Sequence, residues 1–71
     1  MRITYDSEAN ALNIRFQEGE YEKSREVSEG IIIDYSKNEE IMSIEILDAD
    51  EKISPKTIES ITTPSAAKST A

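Results

Sequence analysis

The chain has 71 residues, 15 acidic against 8 basic, a formal net charge of −7, and neither Cys nor His. This rules out a disulfide staple, the usual zinc ligand sets and the common Cys- or His-based nucleophile pairs within one chain, and it opposes phosphate backbones and anionic membranes as partners. A domain this small buries only about 60% of the surface its unfolded chain exposes, so self-association or a stable partner is the expected source of further stability.

Residues 2–5 (RITY) alternate, with Ile3 and Tyr5 on one side and Arg2 and Thr4 on the other. DSEAN (6–10) is rich in turn formers. ALNIRFQ (11–17) alternates strictly: Leu12, Ile14 and Phe16 point one way, Asn13, Arg15 and Gln17 the other. A period of two marks a half-buried strand, so the two runs predict a hairpin. EGE (18–20) turns the chain. YEKSREV (21–27) alternates poorly, because Val27 shares its parity with Arg25 and Lys23. It reads as a charged edge strand, a type that resists sheet-to-sheet joining.

SEG (28–30) turns again, and GIIIDY (30–35) is the strongest strand signal. Ile31, Ile33 and Tyr35 share one face; Ile32 and Asp34 share the other. After the polar loop SKNEE (36–40), IMSIEIL (41–47) puts Met42, Ile44 and Ile46 on one face and Ile41, Ser43, Glu45 and Leu47 on the other. Asp48 is placed to cap a turn, with Glu51 three residues on. Ser54 and Pro55 have the chemistry of an N-cap and a first helical position. Ile58 and Ile61 then lie on one side of a short helix, which must dock to be stable. Its expected dock is the second sheet face, where Ile32 and Leu47 need cover.

The predicted fold is α+β, mainly β: a small antiparallel sheet of about five strands in hairpin or meander connection, with a short C-terminal helix. Residues 1–61 form the single domain, and 62–71, without a large apolar residue, form a disordered tail. The expected core is Ile3, Tyr5, Leu12, Ile14, Phe16, Ile31, Ile33, Met42, Ile44 and Ile46. The N-terminal residues contain no apolar run of signal-peptide length, so a cytoplasmic location is expected.

Asp6, Glu8 and Asn10 stand at alternate positions, as oxygen ligands do at the start of a calcium loop. The sixth loop position is Ala11 rather than Gly, and the twelfth is Gln17 rather than Glu. A hairpin turn closed by Asp6, Ser7 and Asn10 is the better reading. Asp34 and Glu45 share a predicted face, with Asp48, Asp50 and Glu51 close behind in sequence. A carboxylate of raised pKa could serve acid–base work there, but in so acidic a chain the cluster reads first as a solvated face or helix caps. Gly19 and Gly30 belong to separate turns and make no phosphate cradle. Tyr5, Tyr21 and Tyr35 could line a binding surface; half-buried strand positions suit Tyr5 and Tyr35 better. Arg2 and Arg15 share a face of the first hairpin, where they either pair with nearby Glu or help seat a partner.

The run Arg2-Ile3-Thr4-Tyr5-Asp6-Ser7-Glu8-Ala9-Asn10-Ala11-Leu12-Asn13-Ile14-Arg15-Phe16, followed by Glu26-Val27, Gly30-Ile31-Ile32-Ile33-Asp34-Tyr35 and Ile44-Glu45-Ile46-Leu47-Asp48-Ala49, resembles the prokaryotic domain of unknown function 2283 family over about residues 2–50. Ser7 and Asn10 depart from the family's usual Pro and Asp, which should loosen the turn slightly. The resemblance implies a prokaryotic cytoplasmic protein. It carries over no catalytic, cofactor-binding or metal-binding residue, and it implies a toxin–antitoxin setting for some relatives.

The expected function is therefore a non-enzymatic protein-interaction module, acting as a homodimer or as the antitoxin-like partner of a small basic protein, with no nucleic acid, membrane or cofactor involved. Its lead contacts would be Ile32 and Leu47 with the acidic rim of Asp34 and Glu45. The alternative is a small ligand- or divalent-metal-binding domain, or an enzyme, using those carboxylates.

Overall fold

A computed structural model describes residues 1–62 of the chain. Alternation does produce five strands: β1 (Arg2–Asp6), β2 (Ala11–Arg15), β3 (Tyr21–Ser28), β4 (Ile31–Ser36) and β5 (Ile41–Leu47). Two helices follow, α1 (Ala49–Lys52) and α2 (Pro55–Thr62). The α+β, mainly β architecture is thus as expected. The region predicted as a tail lies, apart from Thr62 at the end of α2, outside the described residues.

All five strands form one antiparallel sheet in the order β1-β2-β5-β4-β3. The strand latest in sequence therefore sits in the middle. It joins the β1–β2 hairpin to the β3–β4–β5 meander. Only the connection from β2 to β3 leaves the hairpin pattern. Residues 16–20 cross one end of the sheet, where the Phe16 amide donates to the Met42 carbonyl at 2.8 Å and the Lys37 amide to the Glu20 carbonyl at 2.9 Å.

The turns follow local chemistry. One carboxylate oxygen of Asp6 accepts from the amides of Glu8 (3.0 Å) and Ala9 (3.2 Å), and Asn10 closes the turn at φ 54°. Gly30 takes φ 76°, a conformation strained for any side-chain-bearing residue, and its amide donates to the Glu26 carboxylate at 2.9 Å. The Ser36 hydroxyl accepts from the amides of Asn38 and Glu40, both at 3.2 Å, shaping the β4–β5 loop.

Cross-strand register sorts the side chains into two faces. On the apolar face one row reads Ile3–Ile14–Ile44–Ile33 and the next Tyr5–Leu12–Ile46–Ile31. The poor alternation of β3 has a specific cause. Register shifts between Tyr21 and Lys23 and between Glu26 and Ser28 break its period. Between them Lys23 pairs with Tyr35 and Arg25 with Ile33, on the apolar side, while Ser24 and Glu26 take the other face.

The helix does not dock where Ile32 and Leu47 await cover. Ile58 of α2 is buried with Leu12 and Ala49, against Ile3, Tyr5, Ile46 and Ile53. All four sheet residues in that group belong to the apolar face. Two things direct the chain there. Asp48 enters the left-handed region (φ 51°) and makes no side-chain cap bond, contrary to its expected role, so β5 leads straight into a sharp bend. Asn10 then holds α1 in place. Its carbonyl accepts from the Ala49 amide at 2.9 Å, and its side-chain nitrogen donates to the Asp50 carboxylate at 2.6 Å. On the other face Ile32 is flanked by Glu26 and Glu45, whereas the apolar face offers a continuous hydrocarbon surface. Ser54 behaves as expected, its hydroxyl accepting from the Thr57 amide at 3.2 Å.

The core is smaller than the alternation suggests. Among the described residues Leu12, Met42, Ala49 and Ile58 are the buried apolar side chains. Phe16, expected inside, is 42% exposed, because β2 ends at Arg15 and the crossing to β3 begins with Phe16.

Candidate functional site

Adjacent strands lie about 4.8 Å apart, so five strands place the outer two roughly 19 Å from each other. A helix packs at about 8–10 Å and covers some two strands. α2, seated on Tyr5, Ile3 and Leu12, thus covers the β1–β2 side, and among the described residues no further helix lies over the rest of the apolar face. Ile14, Ile44, Ile33, Ile31 and Tyr35 are each only half-buried. Phe16 instead lines a surface groove with Met1, Arg2, Arg15, Gln17 and Glu18. Ile61 of α2 is 36% exposed.

The strip has unlike borders. On the β3 side stand Lys23 and Arg25, beside Tyr35 with Glu39 at the loop. On the β1 side a groove of about 380 Å³ runs between sheet and helix, lined by Tyr5, Asp50, Pro55, Ile58, Glu59 and Thr62. Two of its lining residues, Asp50 and Glu59, are carboxylates.

The residues expected to bind a partner lie together on the opposite, polar face. Ile32 stands between Glu45 and Glu26 in one cross-strand row. Asp34 is already engaged: the Ser24 hydroxyl donates to one carboxylate oxygen and the Ser43 hydroxyl to the other at 2.7 Å. With its proton so committed, Ser24 is the acceptor for the Tyr21 hydroxyl at 2.8 Å. Leu47, 37% exposed, sits at the end of β5 opposite Ala11. Arg2 and Arg15 face each other directly across β1 and β2, and neither has the carboxylate partner suggested for it within ion-pair distance. The ion pair found among the described residues is Lys37 with Glu20, at 3.4 Å on the surface.

The carboxylates do not converge. Among the described residues no three of the His, Cys, Asp and Glu type are grouped to hold a metal ion. Asp6 is occupied with turn amides and Asp50 with Asn10, so the opening acidic stretch is a hairpin turn tied to α1. Among the described residues no helix is long and apolar enough to cross a membrane.

What the sequence reading missed is the bare strip, since its isoleucines Ile14, Ile31, Ile33 and Ile44 were all assigned to the core. The signal was present in the element lengths. One helix predicted from two isoleucines is too narrow for a five-stranded sheet.

Residues 2–49 match the profile of a family described as protein of unknown function (DUF2283). The chain belongs to the DUF2283 family. The match covers every strand and stops at Ala49, so the sheet with both its faces is the DUF2283 unit and α2 lies beyond the matched segment. Searches of curated proteins and of solved structures gave no match.

Proposed function

We propose that this DUF2283 protein is a non-enzymatic protein-interaction module that works through the bare half of its apolar sheet face. The observation that carries the reading is the continuous row Ile14–Ile44–Ile33, with Ile31 beside it, half-buried and with no further helix over it among the described residues. A contiguous apolar patch on a small domain favours contact with another protein surface. The chain's side chains favour the same reading: with no Cys or His, its hydroxyls lack the usual activating base.

Carbene footprinting tests it. In lysate of the source organism, Ile33 and Ile44 should be labelled less than in dilute purified protein, while Thr4 on the polar face changes little. Equal labelling of the strip in both conditions would sink the reading.

A second reading concerns the polar face. Ile32 between Glu45 and Glu26, with Asp34 and Leu47 nearby, favours a basic surface, as in an antitoxin-like pairing with a small basic protein. Protection confined to Ile32 and Leu47 in the same footprint would select this face instead. A divalent-metal or ligand role for the carboxylates would raise the melting temperature with added calcium, magnesium or manganese; no such rise is expected.

A further inference from the structure

We infer that β1 pairs edge to edge with the β1 strand of a second copy of this chain, in one antiparallel register centred on Thr4. The inference goes beyond the strip reading and leaves the strip untouched, because β1 is an outer strand while Ile31, Ile33 and Ile44 belong to β4 and β5.

The backbone sets the first condition. The β2–β5 register, carried one residue past Arg15↔Ser43, sets Phe16 opposite Met42, and the Phe16 amide donates to the Met42 carbonyl at 2.8 Å. Successive residues of a strand turn their N–H and C=O groups to opposite sides. Leu12, Ile14 and Phe16 therefore turn theirs toward β5, and Ala11, Asn13 and Arg15 toward β1. The β1 partners of those three are Asp6, Thr4 and Arg2. Ile3 and Tyr5 are left with outward backbone groups, and among the described residues no backbone bond from another element reaches them.

The side chains set the second condition. A two-fold axis perpendicular to the sheet, passing between Thr4 and the partner's Thr4, sets Ile3 opposite the partner's Tyr5 and Arg2 opposite the partner's Asp6, each contact made twice. The outward groups of Ile3 and Tyr5 then bond across the joint, and their side chains stay on the apolar face. Arg2 and Asp6 fall at a non-hydrogen-bonded position, where facing side chains come closest, with Cα atoms about 4.5 Å apart. Sliding the register by two residues either way loses this pair, because Arg2 or Asp6 then meets Thr4. Within its own chain Arg2 faces Arg15 and has no carboxylate within ion-pair distance among the described residues. The turn amides occupy one oxygen of Asp6 and leave the other for a cation. A strand that is its own complement argues for a second copy over a foreign strand. β3, the other outer strand, is broken by two register shifts, which blunt an edge. α2 rests on Ile3, Tyr5 and Leu12, over both β1 and β2. Its two copies therefore stand about two strand spacings, roughly 10 Å, apart, which is the packing distance of two helices.

Sedimentation equilibrium on the full-length chain tests the inference. At roughly 0.1 mM, suited to an interface below the standard size, the wild type should be a dimer. Raising the concentration should slow amide exchange at Ile3 and Tyr5, while Thr4, bonded to β2 in either state, changes far less. Arg2→Asp and Asp6→Lys should each weaken the dimer by about tenfold or more, because like charges then face each other twice. Mixed in equal amounts, the two variants should recover most of the loss as a heterodimer. Circular dichroism checks that both fold; should Asp6→Lys fail for want of its turn bonds, amide exchange on the wild type decides. A monomeric wild type overturns the inference, as does a dimer whose Ile3 and Tyr5 amides exchange as in the monomer, or a mixture that recovers nothing. Protection of those amides at every concentration would assign the edge to a segment of the same chain and also overturn it. Labelling of Ile33 and Ile44 should not depend on the dimer, which keeps this test separate from that of the strip.

Discussion

The two halves of the apolar sheet face carry similar side chains and meet different surroundings. Under α2, Leu12 is fully buried and Ile3 and Tyr5 pack against Ile58. On the β4 side, Ile31 and Ile33 have the same chemistry and the same orientation, yet among the described residues no helix lies over them. Strand formation is therefore separable from burial. Alternation tells each side chain which face to take, but the number and width of covering elements decide how much water it loses.

The sharpest way to break this contrast is to truncate one residue in each half. Leu12→Ala removes side-chain volume from the fully packed half and should cost about 3 kcal/mol, enough to unfold much of so small a domain. Ile33→Ala, at concentrations where the chain is monomeric, should cost about 1 kcal/mol or less, because its surroundings are already partly wet. Urea melts of the two variants measure the difference. Equal costs would mean that the bare half is covered after all.

A smaller effect sharpens the account of why the cover lies where it does. Asn10→Asp replaces the donor 2.6 Å from Asp50 with a second carboxylate. The loss should be about 1 kcal/mol, since the site is exposed and solvent screens the repulsion. Adding Asp50→Asn should restore it, because an amide would again face a carboxylate. A double-mutant cycle with no coupling would show that this clasp does not hold α1. The smallest expected change is Ser54→Ala, about 0.5–1 kcal/mol, through loss of the bond from the Thr57 amide. It should loosen α2 and so make Leu12 and Tyr5 behave more like the residues of the bare half, as hydrogen exchange would report.

The facing of β1, β2, β4 and β5 was legible because they keep a period of two, apart from one register shift between β4 and β5 at Asp34 and Tyr35. Strand order was not, since alternation says nothing about neighbours; β5 lies between β2 and β4 because those three carry the isoleucines that pair across the centre. The face of β3 was illegible for a local reason, its two register shifts. The docking side of α2 was misjudged because Ile32 and Leu47 were treated as a surface in need of cover. In the folded chain Ile32 sits among glutamates and Leu47 at a strand end. The expected partner-binding residues do come together on one face, but Asp34 is tied to two serines, which one dimension of sequence could not foretell.

The central position of β5 also governs how the protein is made. As the chain leaves the ribosome, β1 and β2 can zip up early, yet their inner neighbour is synthesised only after residue 40. Until then the nascent hairpin has no lateral support, and a lone two-stranded unit is marginal in water. The β3–β4 pair waits in the same condition. Delivery of the last strand turns two provisional ribbons into one cooperative object, so loss of residues 41–47 by early termination would leave no sheet for quality-control proteases to spare.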